Sequence, residues 1–279
     1  MKVRTVSGAC FVAIVVAFFL FREYVDYRLF NVLLWFFCAA GTFEVARALR
    51  NFLRPAVFYA VIVFGAVFVP LYALWEYVLW HGYGWLLSVA FIIIYSAAVF
   101  EVQGGVDNAK NAGISLLSVI YPSLLILTMI MNNENSQGLV ALLLVFVIAP
   151  LTDTFAYLVG MTYGKIKKGE VRKLCPTISP NKTVAGAIGG LIGGLIGALL
   201  VYFIFTPQIN SAVPALIFII IGIVGAVFTE AGDLFESLIK RRTGIKDMGR
   251  IMPGHGGVMD RIDGMTFASA FVWFMFLFI

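Results

Sequence analysis

Acidic and basic side chains share one face of a hydrophobic segment near the C-terminus. Intervals of three, four and three residues place two acids, a serine and a lysine on the same side of a helix: Glu230, Asp233, Ser237 and Lys240. An ionised carboxylate at the centre of a membrane helix costs about 3 kcal/mol, so such acids are seldom incidental. We expect Glu236 to pair with Lys240 one turn later and treat Asp233 as a candidate metal ligand.

Two further acids, Asp260 and Asp263, lie three residues apart where the last hydrophobic segment begins. Their spacing points both carboxylates the same way, and with Asp233 they would offer oxygen ligands to a hard divalent cation. Mg²⁺ in proteins combines a few carboxylates with substrate phosphate oxygens. Asp260 alone would also serve as a helix cap, but capping accounts for one aspartate and not for both.

The segment between these helices is basic and rich in glycine. Its notable residues are Lys240, Arg241, Arg242, Lys246, Arg250, His255, Gly256 and Gly257. Glycine lets backbone N–H groups approach phosphate oxygens, and the N-terminus of the following helix favours an anion. Basic side chains supply compensating charge in phosphoryl transfer. His255 is either a ligand or base, or a hydrogen-bonding residue of the turn.

A second polar element, Ser179-Pro-Asn-Lys-Thr183, precedes another hydrophobic segment. Ser179 or Asn181 would cap that helix, leaving Lys182 and Thr183 near its positive end. The arrangement suits a nucleotide phosphate and an ordinary capped helix equally. Upstream, Asp153 lies inside a hydrophobic run, where an acid is a functional candidate by default.

The elements that position these residues are those of a membrane protein. The 279-residue chain is 61% hydrophobic and 13% charged, and its mean hydropathy is +0.97. Soluble domains carry roughly 25% charged residues, so the composition excludes an ordinary soluble fold. The net charge of +5 comes from basic residues between hydrophobic segments, so we expect no nucleic-acid partner. Cys10, Cys38 and Cys175 are widely spaced and form neither a disulfide framework nor a zinc motif.

Nine hydrophobic segments are long enough to cross a bilayer, where about 20 apolar residues are needed. They lie near 5–21, 29–48, 55–75, 84–101, 112–131, 138–162, 183–206, 212–239 and 258–279. The first lacks a small-residue cleavage site and is predicted to be a transmembrane helix, not a leader. We predict an all-α polytopic integral membrane protein, with N-terminal helices in 1–111 and a catalytic region in 112–279.

Loop charge predicts the orientation of these spans. With nine of them, the basic stretches fall on one side: Lys2 with Arg4, 47–54, 165–182 and 240–250. The other side receives 22–28, 76–83, 132–137 and 207–211, which are neutral, acidic or uncharged overall. The positive-inside rule then places the N-terminus in the cytoplasm and the C-terminus outside. Both chemically interesting loops, 163–182 and 240–257, would face the cytoplasm.

The seventh span carries a ridge of small residues at helical spacing. Its glycines are Gly186, Gly189, Gly190, Gly193, Gly194 and Gly197. Such ridges let helix backbones approach closely in a bilayer, so we predict a packing seam in preference to a substrate contact. The ridge also permits a homodimer.

Taken together, these residues resemble the signature of phosphatidate cytidylyltransferases (CDP-diacylglycerol synthases). The main element is Ser237-x-Ile239-Lys240-Arg241-x4-Lys246-Asp247-x5-Pro253-x-His255-Gly256-Gly257-x2-Asp260-Arg261-x-Asp263. Two upstream elements are similar, Asp153-x2-Ala156-Tyr157-x2-Gly160 and Ser179-Pro180-x-Lys182-Thr183-x2-Gly186. The motifs span 153–264, and the N-terminal half agrees only in its hydrophobic spans. The family commonly has an aromatic-acidic pair where Val184-Ala185 stand here.

The resemblance implies a Mg²⁺-dependent transfer of a cytidylyl group from CTP to phosphatidate, giving CDP-diacylglycerol and pyrophosphate at the cell (inner) membrane. It implies metal binding by Asp233, Asp260 and Asp263, with Asp153 either holding a second cation or orienting a basic residue. The implied phosphate ligands are Lys240, Arg241 and Lys246. The implied substrate contacts are Ser179, Lys182, Thr183, His255, Gly256, Gly257 and Arg261.

Other functions also remain open. A CDP-archaeol synthase or a polyprenol kinase would share the intramembrane acids and the basic loop. A cation-coupled transporter would use Asp153, Glu230 and Asp233 as ion sites. Transporter sites normally lie near the bilayer midplane in broken helices with repeat symmetry, whereas these acids gather with basic residues at one face.

Overall fold

A computed structural model describes residues 2–168, 170–205, 215–254 and 256–279 of the chain. Within these ranges the chain forms nine α-helices and one small antiparallel sheet. The helices are α1 (Lys2–Tyr24), α2 (Phe30–Ala48), α3 (Pro55–Leu74), α4 (Gly84–Gln103), α5 (Ala109–Glu134), α6 (Gly138–Ile166), α7 (Val184–Phe205), α8 (Ala215–Thr243) and α9 (Met259–Phe276). The sheet consists of β1 (Lys173–Cys175) and β2 (Ser179–Thr183). The predicted all-α polytopic class is confirmed, with a hairpin added that begins inside the predicted loop 163–182 and ends one residue beyond it.

Eight helices in the described part of the chain, α1 to α8, are long and apolar enough to cross a membrane. The ninth, α9, has 18 residues and carries Asp260, Arg261 and Asp263 in its first two turns. Its crossing, and the orientation derived from an odd number of spans, therefore stay predictions. The predicted loop 207–211 and the first three residues of the predicted span 212–239 lie outside the described residues.

Contacts along the chain separate it into two compact units. The first comprises Met1–Met131 and Thr243–Arg261. Its core is aromatic: Phe30, Phe37, Phe64, Phe68 and Tyr72 of α2 and α3 are almost fully buried. Phe64 and Phe68 stack with ring centroids 5.3 Å apart. Burying large rings between α2 and α3 fixes these two helices against each other by dispersion and close packing.

The second unit comprises Asn132–Arg242 and Ile262–Ile279. The glycine ridge of α7 is buried here against α6 and α8. A Cβ added at Gly193 would lie 2.5 Å from the Leu151 carbonyl oxygen, and one at Gly194 would lie 2.6 Å from Ala226 Cβ. Only glycine allows these backbones to come so close. The predicted packing seam is confirmed, and because the ridge is used inside the unit, it offers no argument for the homodimer.

Candidate active site

Three carboxylates from α8 and α9 meet in the second unit. Asp233 and Glu236 are one turn apart on α8, Asp263 comes from α9, and oxygens of all three lie within 4.8 Å of one another. Two glycines bring the helices together at this level. A Cβ at Gly232 would lie 2.6 Å from the Asp263 carbonyl oxygen, and one at Gly264 would lie 2.7 Å from Thr229 Cγ2. The close crossing of α8 and α9 therefore builds the acidic cluster.

Two lysines neutralise part of this charge. Lys182 Nζ lies 2.6 Å from Asp233 Oδ2, and Lys240 Nζ lies 2.7 Å from Glu236 Oε2. The Glu236 side chain is only 1% exposed, whereas that of Asp233 is 33% exposed. The predicted pair of Glu236 with Lys240 is confirmed. The cluster thus combines an inner, paired glutamate with an aspartate open to a ligand, and two ammonium groups flank it.

Asp153 faces the same group of charges. It lies on α6 with an exposed side chain, within electrostatic reach of Asp263, Asp233, Lys182 and Glu230. Glu230 is 8% exposed, and its Oε1 is a buried oxygen that accepts no hydrogen bond from the described residues. An unsatisfied buried oxygen is costly, so a cation beside Asp153 and Glu230 would be chemically reasonable. The second cation at Asp153 stays a prediction.

The element from Ser179 to Thr183 forms strand β2, and it ends directly at α7. The helix cap differs from the prediction, because the Gly186 N–H donates to Thr183 Oγ1 at 3.0 Å. The prediction that Ser179 or Asn181 caps this helix is wrong, because both residues lie within β2 and are too far from the first residue of α7. With Thr183 as the cap, Lys182 stands directly before the helix and reaches Asp233.

Arg241 connects the end of α8 to the hairpin. Its Nε donates to the Ile178 carbonyl oxygen at 3.1 Å. Ser179 follows Ile178, so this bond holds the turn that leads into β2. Val184 and Ala185, which stand in place of the aromatic-acidic pair common in the family, begin α7, and the Val184 N–H donates to the Arg172 carbonyl oxygen at 3.0 Å.

The glycine-rich loop belongs to the first unit, and Asp260 is tied into it. Asp260 Oδ2 accepts the Met248 N–H at 2.9 Å and the Gly257 N–H at 2.7 Å. The predicted helix-capping role is wrong for Asp260, which lies in the first turn of α9 and accepts N–H groups of the preceding loop instead. Its place among the metal ligands stays a prediction.

The other predicted residues of the loop differ in their exposure to solvent. The loop turns at Gly256, whose φ of +88° is a backbone conformation that favours glycine. Gly257 is buried, and Lys246 and Arg261 are exposed. His255 lies outside the described residues.

The acidic cluster fits the ligand preferences of Mg²⁺. All its donors are carboxylate oxygens, which hard divalent cations prefer. In octahedral Mg²⁺ sites with bonds of about 2.1 Å, neighbouring ligands are about 3.0 Å apart and opposite ligands about 4.2 Å, so side-chain movements that bring these oxygens, all within 4.8 Å of one another, closer together would let them share one ion. Sequence reasoning missed Glu236 as a member of this cluster and missed the ion pair of Lys182. The spacing of Glu236 from Asp233 by three residues was the available signal.

The chain is also similar in sequence to known proteins. The model of the cytidylyltransferase family matches residues 2–279. A phosphatidate cytidylyltransferase of Staphylococcus saprophyticus is 42% identical over 182 residues, and one of Staphylococcus aureus is 41% identical over 184 residues. One of Staphylococcus epidermidis is 38% identical over 182 residues. In each case the match covers 65% of this chain and 64% of the relative, just under two thirds of the relatives' length.

Proposed function

We propose that the chain, which belongs to the cytidylyltransferase family, transfers a cytidylyl group from CTP to phosphatidate within a membrane. The products are CDP-diacylglycerol and pyrophosphate. The observation that carries the proposal is the cluster of Asp233, Glu236 and Asp263 flanked by Lys182 and Lys240. Such a mixture of acids and ammonium groups suits a metal-bound polyphosphate.

The reaction requires charge control more than proton transfer. An oxygen of the phosphatidate phosphate attacks the α-phosphorus of CTP, a P–O bond forms, and the bond to the pyrophosphate breaks. The nucleophile is already an ionised phosphate, so no strong base is needed. Positioning and electrostatic stabilisation then provide the rate enhancement.

The residues of the cluster divide these tasks. Asp233 and Asp263, with Glu236 beside them, would hold Mg²⁺, and Asp153 with Glu230 would hold a second cation. Mg²⁺ supplies Lewis acidity and neutralises phosphate charge. Lys182 and Lys240 lie within a hydrogen bond of these carboxylates, so their ammonium groups are close enough to contact phosphate oxygens of a bound substrate. Arg241, held at the hairpin, adds a third positive charge at the same end of α8.

The location follows from the substrates. CTP is dissolved in the cytosol, whereas phosphatidate keeps its tails in the bilayer and its headgroup at the interface. A site at the cytoplasmic ends of α6 to α9 allows both to reach one cation. The basic loops 163–182 and 240–257 support this orientation through the positive-inside rule.

The decisive experiment uses purified protein, phosphatidate, Mg²⁺ and CTP labelled at the α- or the γ-phosphate. We expect the α-label in the lipid product and the γ-label in pyrophosphate, and we expect a chelator to stop the reaction. Transfer of the γ-label to a polyprenol would indicate a kinase. Preference for an unsaturated archaeal ether lipid over phosphatidate would indicate a CDP-archaeol synthase. Absence of transfer with all acceptors would contradict the proposal.

A further inference from the structure

We propose that Glu44, in the N-terminal half of the chain, is a positioning residue for the glycine-rich loop 243–261. This inference deepens the proposed function and rests on it, since it assigns a task to a residue remote in sequence from the motifs. Glu44 lies on α2 and is 0% exposed. A fully buried carboxylate is costly unless the structure gives it partners, so its contacts indicate its role.

The carboxylate of Glu44 holds the start of α9. Oε1 accepts the Val258 N–H at 3.1 Å, and Oε2 accepts the Met259 N–H at 2.8 Å. These donors lie at the N-terminus of the helix, where backbone N–H groups lack partners within the helix and carry partial positive charge. Glu44 therefore acts as a helix cap supplied by a distant helix.

The loop is shaped around this carboxylate. A Cβ at Gly249 would collide with Glu44 Oε1, and a Cβ at Gly257 would collide with Glu44 Oε2. Two glycines that precede α9 therefore lie directly against the carboxylate. Arg47, one turn after Glu44, adds a hydrogen bond from Nη2 to the Met248 carbonyl oxygen at 3.4 Å. The end of α2 consequently contacts the loop at three places.

Glu44 and Asp260 fix neighbouring backbone groups. Asp260 Oδ2 accepts the Gly257 N–H, and Glu44 accepts the next two N–H groups along the chain. Three consecutive backbone donors are thereby held in one orientation. The family resemblance implies substrate contacts at Gly256 and Gly257. Glu44 holds the two backbone N–H groups that follow them, and it therefore helps to position this stretch of the loop. A misplacement of about 1 Å in such a group can lower the rate by about 100-fold.

The variant Glu44→Gln tests this role because it keeps the size of the side chain and replaces one acceptor oxygen with a donor. We expect kcat/KM for CTP to fall by roughly 10- to 100-fold in folded protein. We also expect faster hydrogen–deuterium exchange at the amides of Val258 and Met259, measured in detergent or nanodiscs. The exchange readout does not depend on activity.

Glu76 provides a matched control. It is 7% exposed, and its carboxylate accepts the Gly82 and Gly84 N–H groups, each at 2.8 Å, at the start of α4. Glu76→Gln therefore removes the same kind of buried cap from a helix that carries no proposed site residue. We expect a comparable loss of thermal stability, unchanged kcat/KM and unchanged exchange at Val258 and Met259.

Two results would overturn the assignment: wild-type kinetic constants in folded Glu44→Gln, or an equal kinetic loss in Glu76→Gln. If Glu44→Gln does not fold, Glu44→Asp serves instead, because it keeps the charge but is one methylene shorter and withdraws the carboxylate from the two N–H groups. It should raise exchange at the same two amides and lower kcat/KM, and normal values would also overturn the proposal.

If the wild-type protein made no CDP-lipid, the proposed function would fail, while amide exchange would still decide the role of Glu44.

Discussion

Lys182 Nζ lies 2.6 Å from Asp233 Oδ2, so the residue before the cap of α7 is paired with the acidic face of α8. Both side chains are partly exposed, and both are therefore accessible to a ligand. This pair joins the two polar elements that the sequence presents separately, the strand β2 and the end of α8. It makes Lys182 the basic group closest to the most exposed acid of the cluster.

Replacing Lys182 with Met should lower kcat/KM by about 10- to 100-fold, because hydrogen bonds to charged groups contribute roughly 1.5–3 kcal/mol. The change removes the counter-ion of Asp233 and the ammonium group nearest to a bound phosphate. Steady-state kinetics with CTP and phosphatidate measure the effect. Lys173→Met, which removes an exposed lysine from β1 of the same hairpin, should remain near wild type. Equal losses in the two variants would assign the effect to the hairpin and not to the pair.

Asp233→Asn and Asp263→Asn should each lower Mg²⁺-dependent formation of CDP-lipid by at least about 100-fold, because metal ions contribute several kcal/mol to transition-state stabilisation. Both proteins should still be expressed and inserted in the membrane. Asp107→Asn changes an exposed aspartate outside the cluster and should have wild-type activity. Near-normal turnover in either cluster variant would remove that residue from the metal site.

The sequence was sufficient to predict most of the helices and one ion pair beside the candidate site. Hydrophobic segments of bilayer length are a one-dimensional signal, and the i to i+4 spacing of Glu236 and Lys240 predicted their ion pair. The hairpin of β1 and β2 was missed because its eleven residues, 173–183, are short and polar and lack alternating hydrophobicity. The cap of α7 was misplaced because Ser179, Asn181 and Thr183 are all good caps, and only the exact start of the helix distinguishes them.

Contacts between distant segments were beyond sequence reasoning. The meeting of Glu236 with Asp263 depends on where α8 and α9 cross, and Gly232 and Gly264 set that crossing. Glu44 belongs to no sequence motif. A single glutamate near the end of a hydrophobic span is also expected where a helix meets a loop, so its role could not be predicted. Its burial and its two backbone bonds become visible only in three dimensions.

Glu236→Gln should raise the Mg²⁺ concentration for half-maximal activity by roughly 10-fold or more, the effect typical of residues that support metal ligands. At saturating Mg²⁺ most of kcat should return. The variant should also be less stable, because it removes the largely buried ion pair between Glu236 and Lys240. A Mg²⁺ titration of activity, together with a thermal melt, separates the two effects. An unchanged titration with a lowered melting temperature would leave Glu236 as a structural partner of Lys240 only.

Thr183→Ala should destabilise the protein by about 1 kcal/mol, the usual effect of losing a side-chain cap. Thr183→Ser keeps the hydroxyl and should restore the melting temperature. The KM for CTP, measured on both variants, tests the predicted substrate contact separately. A Ser variant as unstable as the Ala variant would contradict the capping role of the hydroxyl.

Gly193→Ala should destabilise the packing of α6 and α7 by about 1–3 kcal/mol, the usual cost of overpacking a close contact. The new methyl group would meet the Leu151 carbonyl oxygen and, at 2.8 Å, Phe155 Cβ. Gly164→Ala on α6 is the matched control, because a Cβ there has no heavy atom within 4 Å. It should be neutral or stabilising by up to about 1 kcal/mol, since Ala favours helix more than Gly does. Denaturation midpoints in detergent measure both variants. A Gly193→Ala protein as stable as Gly164→Ala would refute the close contact. The seam also positions the start of α7, and with it Lys182, so Gly193→Ala should reduce kcat/KM as well.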